Sequence, residues 1–479
     1  MIPVVLLALF AFSVGVYAFA RRRAVAMAAA DGPRPHSRPR HHAAYAAIWT
    51  AVPALVLLIA LAIGGPRITT AITWNDLPAG ADLLQEPMRS QFQIDATIIA
   101  HGGQPSAVTY PPAAAGELQS HAERIRGLDG MLRLGGVVAA LAAAFIGAGF
   151  AFFRMRRDFR ARNAVEGWVA ALLVVCSAVA VLTTLGIVLS LVWESLRFFQ
   201  AVSPLEFLTG THWSPQIAIR SDQVGSTGGF GALPLFAGTF LIMLIAMIVA
   251  APIGLMAAIY LAEYAGKLQR AWIKPVLEVL AGIPTVVYGF FAALTVGPAF
   301  RGFFNGLGAQ LAGGPFNDLG LYLMSVQNQM ALVAGVVMGV MLIPFVSSLS
   351  DDIINAVPQS LRDGSYAMGA TKSETVTKVV LPAALPGVAG AMLLAVSRAI
   401  GETMIVTMAA GLQARMTLNP LESVTTVTVQ IVTLLTGDQE FNSPKTLSAF
   451  GLGLTLFAVT LILNVIALRI VQAYREQYD

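Results

Sequence analysis

The sequence is poor in cysteine and in charge, and it has no nucleotide-binding loop. Its 479 residues include one cysteine, Cys176, so no intrachain disulfide can form. Charged residues make up 12% and apolar residues 56%, a balance outside the usual range of soluble globular domains. A P-loop needs Gly-Lys-Ser/Thr after a glycine-rich turn, whereas the only Lys-Ser pair, Lys372-Ser373, follows Thr371. Binding of ATP through that motif is therefore excluded for this chain.

Metal-site signals are weak as well. His36, His41 and His42 share one basic stretch, but they lack the regular spacing and the Cys or carboxylate partners of zinc sites. We interpret this stretch as a basic linker and predict no metal on the chain. The pI near 9.3 is attributed to membrane topology and anionic lipid, not to nucleic acid.

Long apolar runs take the place of these missing features. A helix needs about 20 mostly apolar residues to cross the hydrocarbon layer of a bilayer. Nine segments meet or approach that length: 2–20, 46–63, 134–153, 168–193, 235–261, 276–297, 330–349, 386–411 and 447–471. They lack the two-residue alternation of a membrane barrel, so the backbone must satisfy its hydrogen bonds as α-helix. The predicted fold is an all-α, polytopic helical bundle.

The distribution of Lys and Arg predicts the orientation. Most of the 30 basic residues fall in alternate loops, with clusters at Arg21–Arg23 and between Arg154 and Arg162. By the positive-inside rule these loops are cytoplasmic, which places the N-terminus outside and the C-terminus inside. No charge precedes Phe10, and the arginines follow the first apolar run, so we interpret 2–20 as a retained anchor and not as a cleaved signal peptide.

Two parts are predicted along the chain. Residues 1–160 hold three spans and a polar outer segment, 64–132, which is expected to form short helices or to be largely disordered. Residues 165–475 hold six spans with short connections. The first part is interpreted as an extension and the second as the working core.

Two charged residues lie in the eighth apolar run. A charge near the bilayer centre costs about 2.5–3.5 kcal/mol on insertion scales, so Arg398 needs a reason to be there. Glu402 is four residues away and is expected to share one helical face with Arg398 and to neutralise it. The pair is either a structural ion pair or an anion site on a pathway, because the arginine fork suits a tetrahedral oxyanion.

Helix-breaking residues interrupt the sixth run. Gly282-Ile283-Pro284 and Tyr288-Gly289 predict a kink or a half-helix, because proline removes a backbone donor and glycine allows close approach. Gly282, Pro284 and Tyr288 are candidates for a gate, and ordinary helix packing is the alternative.

A polar interruption from Asp363 to Pro382 lies between two apolar runs, 330–349 and 386–411. It begins with an acidic-small-small triplet, Asp363-Gly364-Ser365, continues with Gly369-Ala370 and ends with Leu381-Pro382. Just before it, Ile353, Ile354, Val357 and Leu361 recur at helical spacing and predict a short amphipathic helix for membrane or partner contact. The spacing of the triplet, Gly369 and Leu381-Pro382 resembles that of the cytoplasmic EAA loop, through which ATP-binding-cassette (ABC) importer permeases contact their ATPase. The corresponding loop here is 351–382.

Four stretches resemble the phosphate-specific ABC importer permeases of the PstC type. They are GGFGALPLFAGTF (228–240), EVLAGIPTVVYGFF (278–291), the EAA-type loop and SRAIGETMIVTMAAG (397–411). The resemblance covers the six-span core. It implies a type I importer permease core of six spans, preceded here by about three more.

The resemblance also implies partners and site residues. The expected partners are a related PstA-like permease, two PstB-like ATPase subunits that use the ATP, and a periplasmic phosphate-binding protein, all at the bacterial inner membrane. Arg398 and Glu402 match the charged pair of the family, and Thr403 continues that motif on the expected pathway. The chain itself is expected to be a transport subunit and not an enzyme.

Two departures and three alternatives remain at this stage. Asp363-Gly364-Ser365 replaces Glu-Ala-Ala, and the resemblance gives no role to 1–160, which is either partner-binding or inert. A permease for sulfate or molybdate is the nearest alternative. An ATP-independent secondary transporter is less favoured, and a membrane enzyme less still, because no metal cluster or nucleophile–base pair lies in the spans.

Overall fold

A computed structural model describes residues 2–29, 35–106, 108–217, 227–436 and 443–475. Over these residues the chain is almost entirely helical, apart from one small β-hairpin. Nine of the described helical segments are long and apolar enough to cross a membrane: Pro3–Ala29, Pro39–Asn75, Pro112–Arg154, Ala161–Ala201, Leu233–Tyr264, Thr285–Leu311, Ala331–Ala356, Lys372–Ile400 and Pro444–Ile470. The predicted all-α polytopic fold is thereby confirmed.

The chain divides into two compact units, Met1–Leu182 and Thr183–Asp479. The division falls inside one long helix, α6 (Ala161–Ala201). The first unit also contains α1 (Ile2–Ala29), α2 (Pro39–Asn75), α3 (Ala79–Asp82), α4 (Met88–Ala100) and α5 (Pro112–Arg154).

The polar segment 64–132 consists of helices joined by short non-helical connections in the residues that the structure describes. It contains the end of α2, all of α3 and α4, and the first turns of α5. A buried carboxylate, Asp95, holds the loop after α4: it accepts hydrogen bonds from the Ser106 hydroxyl (2.6 Å), the Tyr110 hydroxyl (2.6 Å) and the Gln91 amide (3.1 Å). Burial alone would raise the pKa of Asp95, but these donors outweigh it and lower the pKa below its ordinary value. Of the two expectations for this segment, short helices are the one observed.

The second unit begins with the remainder of α6, followed by a short helix and the hairpin. Its first elements are α7 (Pro204–Thr209), β1 (Trp213–Ile217) and β2 (Thr227–Phe230). The strands pair antiparallel, with Trp213 opposite Phe230. The further helices are α8 (Leu233–Ile259), α9 (Lys267–Ala281), α10 (Thr285–Phe291), α11 (Gly297–Leu311), α12 (Asn317–Met324), α13 (Ala331–Ala356), α14 (Gln359–Ala367), α15 (Lys372–Thr375), α16 (Leu381–Ile400), α17 (Met404–Ala409), α18 (Val427–Leu435) and α19 (Pro444–Arg475).

Helix α13 is the centre of the second unit. Its buried side chains, such as Met338 and Leu342, pack with residues from α8, α16 and α17 in one apolar core. The approach of α13 to α8 depends on glycine: a Cβ on Gly339 would lie 2.8 Å from the Ala246 carbonyl oxygen. Close helix contact through small residues is the usual way in which membrane helices associate. The central position of α13 makes it the common support of the elements that carry the candidate sites.

Two predicted spans have the wrong limits. The predicted span 276–297 crosses a helix break, and the apolar helical segment is Thr285–Leu311. The predicted span 386–411 also crosses a break, because α16 ends at Ile400. Both errors have one cause: hydropathy counts apolar residues and does not detect a break in the helix within an apolar run.

Candidate functional site

The helix that carries Arg398 ends two residues after it. The amides of Gly401 and Glu402 donate to the carbonyls of Ser397 (3.3 Å) and Ala399 (3.2 Å), which closes the last turn of α16. The helix is then interrupted over residues 401–403 before α17 begins at Met404. The expectation that Arg398 and Glu402 share a helical face and neutralise each other is therefore wrong, because the i,i+4 relation requires a helix that continues through Gly401. Among the described residues no ion pair joins the two.

The Glu402 carboxylate binds the backbone of the next helix instead. One of its oxygens accepts hydrogen bonds from the amides of Met404 (3.0 Å) and Ile405 (3.3 Å). Its own carbonyl accepts a hydrogen bond from the Thr428 hydroxyl at 2.9 Å. Glu402 is thus a half-buried, oriented acceptor, and its second oxygen accepts no hydrogen bond from the residues that the structure describes.

Arg398 lies on the exposed surface of this chain. Its guanidinium carbon is 5.5 Å from the centre of the Phe345 ring, a cation–π contact. No carboxylate lies within ion-pairing distance of it in the part of the chain that the structure describes. An exposed guanidinium on a membrane helix is too costly to face lipid. Its surroundings in the membrane must therefore be water, another subunit or an anion.

Thr403 lies between the two helices of this break. Its carbonyl accepts a hydrogen bond from the Thr407 hydroxyl at 2.7 Å, so its backbone starts the α17 turn. Thr425, Thr426 and Thr428 are buried nearby, and the sequence did not predict this group. The run Thr425-Thr426-Val427-Thr428 is a signal that could have found it, because consecutive hydroxyls in an apolar stretch need partners.

The second break is at Gly282-Ile283-Pro284, where the sequence predicts a kink or a half-helix. Helix α9 ends at Ala281 and α10 begins at Thr285, so the chain forms two separate helices there. The Tyr288 hydroxyl donates to the Leu280 carbonyl at 3.0 Å and links the two helices across the break. The role of Gly282, Pro284 and Tyr288 as a gate stays a prediction.

The two breaks are in contact. Helix α10 packs against α17, and Gly289 lies in this contact. A Cβ at Gly289 would lie 2.6 Å from the Met408 sulfur and 3.2 Å from the Met404 carbonyl oxygen. A larger residue at 289 would require the Met408 side chain to move and would crowd the backbone of α17. The motifs at 282–289 and 398–403, which are distant in sequence, therefore form one site.

The polar interruption is a helix–turn–helix, which we call the docking element and define as residues 359–375. Helix α14 carries Asp363, Gly364 and Ser365, and the turn after it contains Gly369 at φ +83°. The Ala370 amide donates back to the Ser365 carbonyl at 3.2 Å. Left-handed backbone at this position favours glycine, whereas space does not require it, since a Cβ there would have no neighbour within 4 Å.

The second half of the predicted loop is already helix. Thr371 and Glu374 form a reciprocal capping box, in which the Thr371 amide donates to the Glu374 carboxylate at 2.9 Å. From Lys372 the chain passes through a wider turn at Val376–Val380 into α16. Leu381 and Pro382 therefore begin the membrane helix α16 and are not part of a loop.

A buried arginine that the sequence reasoning missed, Arg362, holds the docking element. Its guanidinium donates to the Glu263 carboxylate (3.0 Å) and to the carbonyls of Ile354 (2.7 Å) and Val357 (2.5 Å) at the end of α13. The side chains of Arg362 and Glu263 are 9% and 7% exposed. Ile354 and Val357 are buried beneath it, so the predicted amphipathic helix across 353–361 is wrong. The chain breaks at Val357-Pro358, and only Leu361 of that set lies exposed on α14.

Comparison with known proteins gives two family matches in different parts of the chain. Residues 2–183 match a model described as phosphate ATP-binding cassette transporter, and residues 250–476 match binding-protein-dependent transport system inner membrane component. The second match contains the docking element and both helix breaks.

Individual relatives give the same result. The probable ABC transporter permease protein YqgH of Bacillus subtilis is 32% identical over 61% of this chain and 84% of its own length. The phosphate transport system permease protein PstC of Mesorhizobium japonicum is 32% identical over 61% of this chain and 85% of its own. PstC 1 of Mycobacterium bovis is 34% identical over 55% of this chain and 80% of its own.

Proposed function

This chain belongs to the PstC-type permeases of binding-protein-dependent ABC transport systems, and we propose that inorganic phosphate crosses the membrane along the surface that carries Arg398. The transport role and the multi-pass membrane location follow from the family. Phosphate as substrate is supported by the names of the relatives and by the phosphate-transporter match of the first unit, which is a separate part of the chain.

The exposure of Arg398 carries the pathway proposal. A membrane helix places an arginine on an open surface only where water, a partner or an anion compensates the charge. A second, PstA-like permease facing this surface would enclose a cavity with Arg398 on its wall. The guanidinium presents paired donors that match two oxygens of a tetrahedral oxyanion.

Glu402 gives a means of choosing among oxyanions. Phosphate at neutral pH still carries a proton and can donate a hydrogen bond, whereas sulfate is fully deprotonated and can only accept. The free oxygen of Glu402 is an acceptor fixed by the amides of Met404 and Ile405. It favours a protonated oxyanion and repels one that has no proton to share. The hydroxyl of the neighbouring Thr403, which donates weakly to the Gly401 carbonyl at 3.4 Å, would have to rotate to add a neutral donor.

The proposal also includes the partners of this chain and the direction of transport. A periplasmic phosphate-binding protein delivers the anion from outside, and two PstB-like ATPase subunits bind the docking element from the cytoplasm. The N-terminus is then periplasmic and the C-terminus cytoplasmic, as the arginine distribution favours. ATP hydrolysis occurs on the ATPase chains and not on this one. Outer and inner partners bias one two-state core, so binding on one side alters access on the other.

The pathway role is tested by Arg398→Ala in the assembled transporter, with Arg67→Ala as a control for loss of one exposed arginine. We expect Arg398→Ala to abolish ATP-dependent phosphate uptake into proteoliposomes while the subunits still co-purify. Normal uptake by this variant would refute the pathway role. A permease for sulfate or molybdate is the second candidate, and uptake of those anions at the phosphate rate would favour it.

A further inference from the structure

Helix α9 has no buried residue, although it lies between two functional regions of the chain. Three of its apolar side chains, Leu268, Trp272 and Val279, are each more than two-thirds exposed, and Leu277 is half-buried. With no fully buried side chain, apolar packing within this chain contributes little to the position of α9. Hydrogen bonds and ion pairs join it to α13.

Those contacts form an ionic cluster between α9 and α13, made of Arg270, Lys274, Asp351, Asp352 and Asn355. Asp351 is at its centre and its side chain is only 1% exposed. Each of its two carboxylate oxygens accepts a hydrogen bond from Arg270 (3.0 and 2.9 Å), and one of them also accepts a hydrogen bond from Lys274 (3.0 Å). The Asn355 amide donates a fourth hydrogen bond at 2.9 Å. A buried carboxylate that accepts four hydrogen bonds from three donor groups is compensated and fixes the orientation of its partners.

Both cations make contacts beyond Asp351. The hydrogen bonds that Lys274 donates to the carboxylates of Asp351 and Asp352 raise the pKa of Lys274 above its ordinary value. Arg270 also donates to the Asn355 amide oxygen at 3.2 Å. The side chains of Arg270 and Lys274 are about one-third exposed, so water can solvate both charges if the carboxylate is removed.

The cluster lies next to the docking element. Asp351 precedes Ile354 and Val357, whose carbonyls Arg362 of α14 binds. A displacement of α14 therefore moves the end of α13 together with Asp351. Through Asp351 the displacement reaches α9, because that helix has no fully buried side chain to hold it elsewhere.

The other end of α9 leads to the anion site. Only Gly282, Ile283 and Pro284 separate α9 from α10, and the Tyr288 hydroxyl bridges this break. Helix α10 contacts α17 at Gly289, and Glu402 caps α17. The structure thus contains a continuous series of contacts from the docking element to Glu402.

We propose that Asp351 is a positioning residue that couples the docking element to the helix breaks through α9. This rests on the proposed importer function and extends it to residues outside both sites. The cluster holds α9 to α13 so that movement of the ATPase-facing element shifts α10 relative to α17. Coupled elements with two discrete arrangements are the physical basis of such transmission.

The test uses the purified transporter with its ATPase subunits and binding protein, comparing Asp351→Asn with wild type. We expect stimulation of ATP hydrolysis by the phosphate-loaded binding protein to fall about tenfold, the scale of a lost coupling between sites. The ATPase subunits should co-purify as in wild type, since Arg362 still holds the docking element. Asp351→Glu, which keeps a carboxylate, should restore part of the stimulation. Glu278→Gln on α9, an exposed carboxylate outside the cluster, is the matched control and should behave as wild type.

A second measurement reports movement of α9 itself. In a Cys176→Ser background, Trp272→Cys places one thiol on α9, and its maleimide labelling is timed without nucleotide and with ATP trapped. The labelling rates without nucleotide and with trapped ATP should differ in an otherwise wild-type chain. They should converge when Asp351→Asn is added. Lys274→Met replaces Asp351→Asn if that variant does not assemble.

Wild-type stimulation in Asp351→Asn, or labelling rates that still differ in the cluster variant, would overturn the coupling role. If the wild-type complex itself shows no response to phosphate, the proposed importer function fails instead. The two failures are therefore distinguishable.

Discussion

Replacement of Arg362 by methionine should loosen the docking element more than any exposed substitution on it. The substitution keeps most of the aliphatic volume and removes three charge-assisted hydrogen bonds, to Glu263, Ile354 and Val357. Individually such bonds contribute about 1.5–3 kcal/mol each, but they are not additive. Breaking a buried ion pair by removing one partner costs about 3–5 kcal/mol, because the other charge is left unpaired. With both side chains under a tenth exposed, screening reduces this little.

The assay is hydrogen exchange of the segment 359–370 in the detergent-purified protein. The amides of Met368, Gly369 and Ala370 are hydrogen-bonded within the element and report its opening. A loss of about 3 kcal/mol in the free energy of opening corresponds to exchange that is faster by roughly a hundredfold, up to the unprotected rate. Arg362→Met combined with Glu263→Leu should recover part of the protection, because no buried charge is then left alone.

Lys378→Met is the matched control. Lys378 pairs with Glu374 at 3.7 Å, but its side chain is 74% exposed, so the pair is screened and its loss should change exchange little. Equal exchange in Arg362→Met and Lys378→Met would refute the view that the buried pair holds this element.

Two further substitutions test the docking and selectivity proposals. Gly369→Trp should release the ATPase subunits from membranes. Gly369→Ala carries the same left-handed strain of about 1–2 kcal/mol and should retain them. Co-purification measures the difference, and equal retention would contradict docking at this turn. Glu402→Gln, which keeps an acceptor for the α17 amides but loses the charge, should reduce the preference for phosphate over sulfate by roughly tenfold, a change of the size expected for one altered hydrogen bond. Competition of sulfate with phosphate uptake measures it, and an unchanged ratio would exclude Glu402 from selectivity.

The membrane spans were predictable because they depend on composition over about twenty residues. Nine apolar runs in the sequence correspond to nine apolar helical segments among the described residues. Proline and glycine at 282–284 also gave the first break correctly, since proline acts through its own backbone. These are local effects, and a sequence displays local effects directly.

The second break was missed because Gly401 has no proline beside it and lies in an apolar run. Glycine in a helical pattern weakens a helix but does not end it, so the i,i+4 pairing of Arg398 with Glu402 looked sound. In the structure the amides of Met404 and Ile405 donate hydrogen bonds to the Glu402 carboxylate, and these bonds stabilise the break.

The buried charges behind the docking element were missed for a different reason. Glu263 and Arg362 are 99 positions apart, and Arg270 and Asp351 are 81 apart. Spacing reveals partners on one helix, but it cannot pair residues on different helices. The sequence resemblance identified the surface of the docking element, whereas its attachment required the structure.

ATP-dependent uptake of inorganic phosphate by proteoliposomes tests the proposed function most directly. The liposomes contain this chain with its partner permease and ATPase subunits, and the binding protein is supplied outside, with sulfate as the parallel substrate. We predict phosphate uptake that requires ATP, the binding protein and an intact Arg398, with little uptake of sulfate. Phosphate flux through this chain alone without ATP, or equal uptake of sulfate by the full complex, would contradict the proposal.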